Sequence, residues 1–169
     1  EMKLAHVIVS ACDTGTNAYG PTLAQEVSRL ASRAPDAWIV DLRGNGGGNM
    51  WPMLAGIGPV LGEGATQAFV DGNGNAVDWG YAEGAAWLDG KIYLRLPSPL
   101  PALTPPPSVA VLIDRGTASS GEAIAVAFRG RAKTRFFGEH TYGLSTANMS
   151  QPLSDGAHLI ITVAVDRDR

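Results

Sequence analysis

The chain has 169 residues, 45 % of them apolar and 17 % charged, enough to bury the core of one ordered domain. A formal charge of −3 gives no electrostatic reason to expect nucleic acid or an anionic membrane as partner. No apolar run approaches the ~18 residues needed to span a bilayer, no leader pattern opens the sequence, and the single cysteine, Cys12, excludes an internal disulfide and a cysteine-based metal site.

In chain order, Leu4–Val9 alternates as a first strand. Pro21 opens a helix to about Arg33, with Leu23, Val27 and Leu30 as its buried stripe. Ala37–Leu42 is a short buried-type strand, and strand–helix–strand predicts a right-handed parallel crossover. Arg43–Asn49 is a glycine-dense turn. Trp51–Leu61 follows as a short or broken helix, because Gly56, Gly58 and Pro59 interrupt it. Small β pieces run from Thr66 to Leu96, with a hairpin across Asp71–Gly74. The six prolines between Pro97 and Pro107 make an extended linker. Ser108–Ile113 is another buried strand, Asp114–Ala118 a turn and Ser119–Arg129 a helix; Arg135–Gly138 and Ala157–Val165 read as later strands. The pattern is α/β, with both strand–turn–helix turns at strand C-terminal ends, where open sheets gather their sites.

Two of these turns could carry chemistry. Ser119 stands at the first turn of a helix, where unpaired N–H groups and the helix dipole favour negative charge. A tetrahedral intermediate needs that stabilisation. The glycine run could bring a second N–H close to a substrate. Ser119-x-x-Glu122 is equally a capping box, and a glycine run after a strand is often only a turn. The residue pattern alone leaves both readings open. A nucleotide loop is excluded, since no Gly-Lys-Ser/Thr follows.

Three motifs add to this. Asp41-Leu42-Arg43-Gly44-Asn45-Gly46-Gly47-Gly48 resembles the D-L-R-x-N-x-G-G signature of the tail-specific, or C-terminal processing, proteases. Thr117-Ala118-Ser119-Ser120-x-Glu122 resembles their T-A-S-x-x-E nucleophile motif, and Gly138-Glu139-His140-Thr141-Tyr142-Gly143 is similar to their G-E-x-T-x-G turn. The resemblance spans Leu4 to Val165 and implies a Clp protease/crotonase-like core, with parallel βα units and a small β insertion. It also implies a serine-type peptidase acting on a peptide or protein. In that reading Ser119 is the nucleophile, with Ser120 the runner-up, and the backbone N–H groups of Ser120 and Gly47 form the oxyanion hole. Gly46, Gly48, Trp51 and Tyr142 are candidate substrate contacts. No cofactor or metal is implied, self-association stays among the options, and an exported or membrane-anchored bacterial setting is expected.

The general base departs from the best-known branch, which carries a lysine where this chain has Leu144. Gly143–Asn148 resembles instead the nisin-resistance protease branch, whose base is a histidine preceding the first strand seen here. His6 alternates with Leu4 and Ile8 and is expected to pack; His158 reads as structural, and His140 lies in the turn near the expected site. Lys133 reads as a surface residue. The abrupt ends, at Glu1 and at Asp166–Arg169, suggest a single catalytic core domain cut from a longer protein, whose missing N-terminal segment supplies the base. The isolated piece is then expected to hydrolyse peptides poorly. The same core also supports other readings: an acyl-CoA hydratase-like enzyme, or a non-catalytic binding module such as the retinoid carriers of the eye.

Overall fold

In the computed structural model, residues 2–12 and 18–168 are described. Glu1 and Arg169, which bound the two abrupt ends, lie outside them. The order of elements is β1 (Leu4–Ile8), α1 (Tyr19–Ala31), β2 (Ala37–Asp41), α2 (Met50–Leu61), β3 (Gly64–Asp71), β4 (Ala76–Ala82), β5 (Ala85–Leu88), β6 (Lys91–Arg95), β7 (Ser108–Ile113), α3 (Ser120–Phe128), β8 (Thr134–Gly138), β9 (Thr146–Pro152) and β10 (His158–Asp168).

Two sheets result. The first is parallel, in the order β1-β2-β7-β8. Its buried side chains, Val7 and Val9 on and beside β1, Trp38 and Val40 on β2, and Val109 and Val111 on β7, belong to the common core. The second has the order β6-β5-β4-β3-β10-β9 and is antiparallel throughout. The expected Clp protease/crotonase-like core with a small β insertion is therefore corrected. The six-stranded antiparallel sheet is larger than the four-stranded parallel one, and it is completed by the C-terminal strands β9 and β10. Pairing of Phe69 with Asp166 and of Gln67 with Asp168 joins segments too distant in sequence for local pattern to reveal.

Helix α2 packs against α1, α3 and strands β4, β5 and β6 of the second sheet and is buried along nearly its whole length. It is continuous, not broken as Gly56, Gly58 and Pro59 suggested. Those glycines serve close packing: a Cβ on Gly56 would come within 2.8 Å of Leu23 of α1, and one on Gly58 within 2.1 Å of the Tyr81 ring. Pro59 stands in the last turn of the helix, and its carbonyl accepts the Leu103 N–H at 2.8 Å, tying the proline-rich linker to the core.

The far end of α2 is fixed by a buried cation. Arg131 is 8 % exposed and donates from Nε to the Leu61 carbonyl at 2.8 Å and from Nη2 to the Val60 carbonyl at 3.1 Å. Its Nη1 reaches Pro107 and Ala132 carbonyls at 3.0 and 2.9 Å. A guanidinium placed on the last carbonyls of a helix meets the negative end of its dipole. At the edge of the second sheet, β10 behaves differently along its length. His158 to Thr162 pair only with β9, and Ile160 and Ile161 are exposed, whereas Ala164 and Val165 pair with both β9 and β3.

Candidate active site

The two turns singled out in the sequence are stitched into one body. The side chain of Asn45, 0 % exposed, donates to the Val9 carbonyl at 2.8 Å and accepts the Gly47 N–H at 3.0 Å. Its backbone carbonyl accepts the Ala118 N–H at 2.9 Å. From the other side, Asp114 Oδ1 accepts the N–H groups of Gly44 and Gly116, each at 2.9 Å. These bonds, that from Gly44 foremost, hold the Asp114 carboxyl below the usual carboxylate range. Thr117 donates its hydroxyl to the Leu42 carbonyl at 2.8 Å. Only glycine fits at position 121, because a Cβ there would lie 2.3 Å from the Asn45 carbonyl oxygen.

This stitching fixes Ser119 as the N-cap of α3, at φ 52° and ψ −122°, a backbone region that L residues seldom adopt. Gly47, at φ 102°, lies directly against it: a Cβ on Gly47 would sit 2.8 Å from Ser119 Cβ and 3.0 Å from Ser120 N. The capping box is present in outline, Glu122 accepting the Ser119 N–H at 2.8 Å. The Glu122 N–H reaches the Ser119 backbone carbonyl at 2.8 Å as well as the Ser119 side chain, and a hydroxyl that accepts keeps its own proton to give. Ser119 is half-buried and lines a cleft of about 300 Å³.

The neighbouring serine is engaged differently. The Ser120 hydroxyl donates to the Gly48 carbonyl at 2.6 Å. Its N–H, the first orphan donor of α3, has no acceptor among the described residues. The Gly48 N–H likewise has none, and the Gly47 N–H is held by Asn45.

Glu122 is 2 % exposed. Besides the Ser119 N–H, its carboxylate accepts the Thr141 hydroxyl at 2.6 Å and the N–H groups of Gly143 and Leu144 at 2.8 and 2.6 Å. The helix start and the turn after β8 thus share one buried carboxylate. Sequence reasoning saw Glu122 as a cap and as part of the T-A-S-x-x-E pattern, not as the joint to the later turn.

Of the residues expected at the site, Ser119, Ser120, Gly48 and Trp51 line the cleft together, with Gly47 immediately behind. Trp51 is held by stacking on Tyr93, ring centroids 4.5 Å apart, and by an edge contact to Trp79. Gly46 and Tyr142 do not line it; Gly46 is exposed and Tyr142 points to solvent at 69 % exposure. Among the described residues, no histidine or lysine lines it either. His140 Nδ1 is 3.0 Å from the Thr141 carbonyl and faces a separate cavity, and His158 Nδ1 is 2.8 Å from the Ser150 hydroxyl.

His6 is not packed as expected. Its strand face, with Leu4 and Ile8, is the exposed one, and Nε2 lies 3.1 Å from Asp41 Oδ2. Asp41, bonded first by the Arg43 side chain and also by His6, is held down to about 2.

Sequence reasoning missed Asp166, which lines the Ser119 cleft from β10. One of its carboxyl oxygens, Oδ1, is buried with no hydrogen-bond partner. Burial first, and the Glu122 charge second, push this carboxyl up to about 6. In the sequence it opens the alternating-charge end, Asp166-Arg167-Asp168-Arg169, at which the last strand is expected to stop. Among the described residues no group of His, Cys, Asp or Glu is arranged to hold a metal ion, and no helix is long and apolar enough to cross a membrane.

Comparison with known proteins gives the chain's family and fold. The profile of peptidase family S41 matches residues 6–169. The nisin-resistance protein of Lactococcus lactis is 36 % identical over 131 residues, 78 % of this chain and 40 % of that protein. A lipoprotein of Streptococcus agalactiae superposes with a TM-score of 0.73 at 22 % identity, over 100 % of this chain and 57 % of that one. The photosystem II D1 C-terminal processing protease superposes with a TM-score of 0.61 at 23 % identity, over 98 % of this chain and 38 % of that one. At such identities the structural likeness is one of fold. It sets the α/β architecture with the fold of these two structures in place of the Clp protease/crotonase-like core expected. The chain spans 40 % of the nisin-resistance protein's length.

Proposed function

The chain belongs to peptidase family S41, and from that premise we propose that it is the core of a serine-type peptidase of the C-terminal processing kind, with Ser119 as nucleophile. One observation carries the reading: a half-buried serine at a strained helix start lines a cleft, against a glycine turn and beside an N–H with no acceptor among the described residues. The choice of Ser119 over Ser120 is supported by the Ser120 hydroxyl, which is engaged by the Gly48 carbonyl.

In the reaction proposed, Ser119 Oγ adds to the scissile carbonyl carbon while a base takes the hydroxyl proton. The oxyanion is held by the Ser120 N–H and the Gly47 N–H, the latter shared with Asn45 Oδ1. Gly48, whose N–H has no acceptor among the described residues, is the alternative second donor. The base returns its proton to the leaving amine, and water then releases the acyl group by the same route. With no histidine or lysine among the described residues of the cleft, the base assigned is a histidine N-terminal to β1. The substrate is a peptide or protein. The likeness to a streptococcal lipoprotein supports an exported or membrane-anchored setting.

Labelling of the full-length protein with a fluorophosphonate tests this. Wild type is expected to label and Ser119→Ala to lose all label; label that persists on Ser119→Ala overturns the assignment. The same lack of a base in the cleft favours a second reading, a peptide-binding module without hydrolysis. That reading holds if the full-length wild type neither labels nor cleaves but still binds peptide.

A further inference from the structure

Asp166 is a charge without a counterion. The acids Glu26, Asp41, Glu139 and Asp168 each meet an arginine: Arg29, Arg43, Arg115 and Arg129. Asp166 meets none among the described residues, and its backbone N–H to the Ser145 carbonyl, 3.1 Å, does nothing for the carboxyl. Arg129, at the end of α3, is taken by Asp168 at 3.1 Å, two residues further along the same strand. Arg167 alternates to the opposite face and is exposed. Around the cleft, β9 offers Thr146, Ala147 and Asn148, α2 offers Met50 and Trp51, and β3 offers Phe69, none of them charged. Among the described residues, the other ionisable group that acts on Asp166 is Glu122 of α3, a like charge. At neutral pH the carboxyl is mostly ionised, held there against burial and repulsion.

The rest of the cleft fits a particular visitor. Phe69 is the direct cross-strand partner of Asp166, and with Trp51 and Met50 it makes an apolar wall beside the acid. A lysine or arginine side chain lays an aliphatic stem along such a wall and delivers its charge at the end; arginine also gains from an aromatic face. About 300 Å³ accommodates one long side chain. Because Ser119 lines the same cleft, that side chain belongs to a substrate residue close to the bond attacked.

We infer that Asp166 is a specificity determinant, and that the Ser119 cleft selects peptides carrying a lysine or arginine beside the scissile bond. The inference rests on the peptidase reading for the word scissile, but not for the preference itself, which is a property of binding.

The experiment uses the full-length protein and matched peptides that differ at single positions flanking the cleavage site: lysine, acetyl-lysine and norleucine. For wild type at pH 7.5, kcat/KM for lysine is expected to exceed that for either neutral analogue by about tenfold, the size of discrimination a single buried charge supplies. The ratio should fall towards one below about pH 6, as the carboxyl takes up its proton, and should be near one at all pH values in Asp166→Asn. Equal rates for lysine and acetyl-lysine in wild type overturn the inference even if the variant fails to fold. So does a ratio that Asp166→Asn leaves unchanged. A loss in that variant that is uniform across all peptides also overturns it, since Asp166 then acts on the Ser119 chemistry and not on the substrate. A parallel measurement of Kd on Ser119→Ala, by fluorescence anisotropy with the same peptides, separates the two levels. Lysine-selective binding that needs Asp166, with no hydrolysis by wild type, sinks the peptidase and keeps the inference. Hydrolysis by wild type, with binding and cleavage both blind to charge, does the reverse.

Discussion

Glu122 accepts the Leu144 N–H at 2.6 Å across 22 residues of sequence. With the bonds from Ser119, Thr141 and Gly143, one buried carboxylate holds the start of α3 and the turn after β8 together. Charge-assisted bonds of this kind are roughly twice as strong as neutral ones, and their loss leaves several donors unpaired at once.

Glu122→Ala is therefore expected to destabilise the fold by about 3–5 kcal/mol, the usual cost of stranding buried polar partners. Glu122→Gln keeps the shape and loses the charge, so a smaller loss, about 1–3 kcal/mol, is expected. Urea denaturation followed by tryptophan fluorescence measures both. A loss below ~1 kcal/mol for the alanine variant would show that the carboxylate is not the joint described.

The two adjacent serines should separate by chemistry. Ser119→Ala removes the nucleophile assigned and should abolish fluorophosphonate labelling. Ser120→Ala removes the 2.6 Å bond to the Gly48 carbonyl but keeps its own N–H, so labelling should slow by about 10-fold or less, the effect of a misplaced rather than a missing group. Label lost only in Ser120→Ala would exchange the two roles.

Gly121→Ala tests the contact between the two turns. Its Cβ would stand 2.3 Å from the Asn45 carbonyl oxygen and 2.9 Å from Asn45 Cγ. Neither α3 nor the buried Asn45 can yield freely, so about 1–3 kcal/mol of overpacking is expected. Reduced labelling of Ser119 should accompany it, measured on protein that still shows a cooperative melt. An alanine variant as stable and as reactive as wild type would mean that the two turns are less tightly joined than described.

Two carboxyls give the stability opposite pH dependences. Asp41 is held down to about 2, chiefly by Arg43, so its contribution is present above the unfolded value near 3.9 and is lost as pH falls towards 2. Asp166 is pushed up to about 6 by burial and Glu122. The folded state gains from its proton below the unfolded value, and that gain disappears as pH rises through 6. Asp166→Asn should consequently stabilise the fold by about 1–2 kcal/mol at pH 8, after allowance for the open side of the cleft, and by almost nothing at pH 3.5. Thermal melts at the two pH values decide this. A variant less stable than wild type at pH 8 would mean that the carboxylate has a partner.

The turn before α3 and the glycine turn were legible as turns because both are local: a strand end, a run of glycines, a serine three residues before a glutamate. The buried helix α2 was legible in its extent but not in its continuity. Gly56 and Gly58 look like breakers in a string of letters, and only the Leu23 and Tyr81 side chains pressed against them show otherwise. His6 was misread for a related reason, since alternation identifies a strand without saying which face is covered. Asp166 was invisible. Its burial depends on β10 pairing with β3, a contact between distant segments, while in sequence it only marks where the apolar run ending at Val165 gives way to Arg167 and Asp168.

The exposed half of β10 has one more consequence. His158 to Thr162 are held by a single neighbouring strand with both faces wet, whereas Ala164 onwards is gripped on two edges. Deuterium uptake should accordingly be quick at the amides of Ile160 and Ile161 and abruptly slower past Ala164. One continuous ribbon would then open in two stages, its tip breathing while the portion carrying Asp166 remains as durable as the interior.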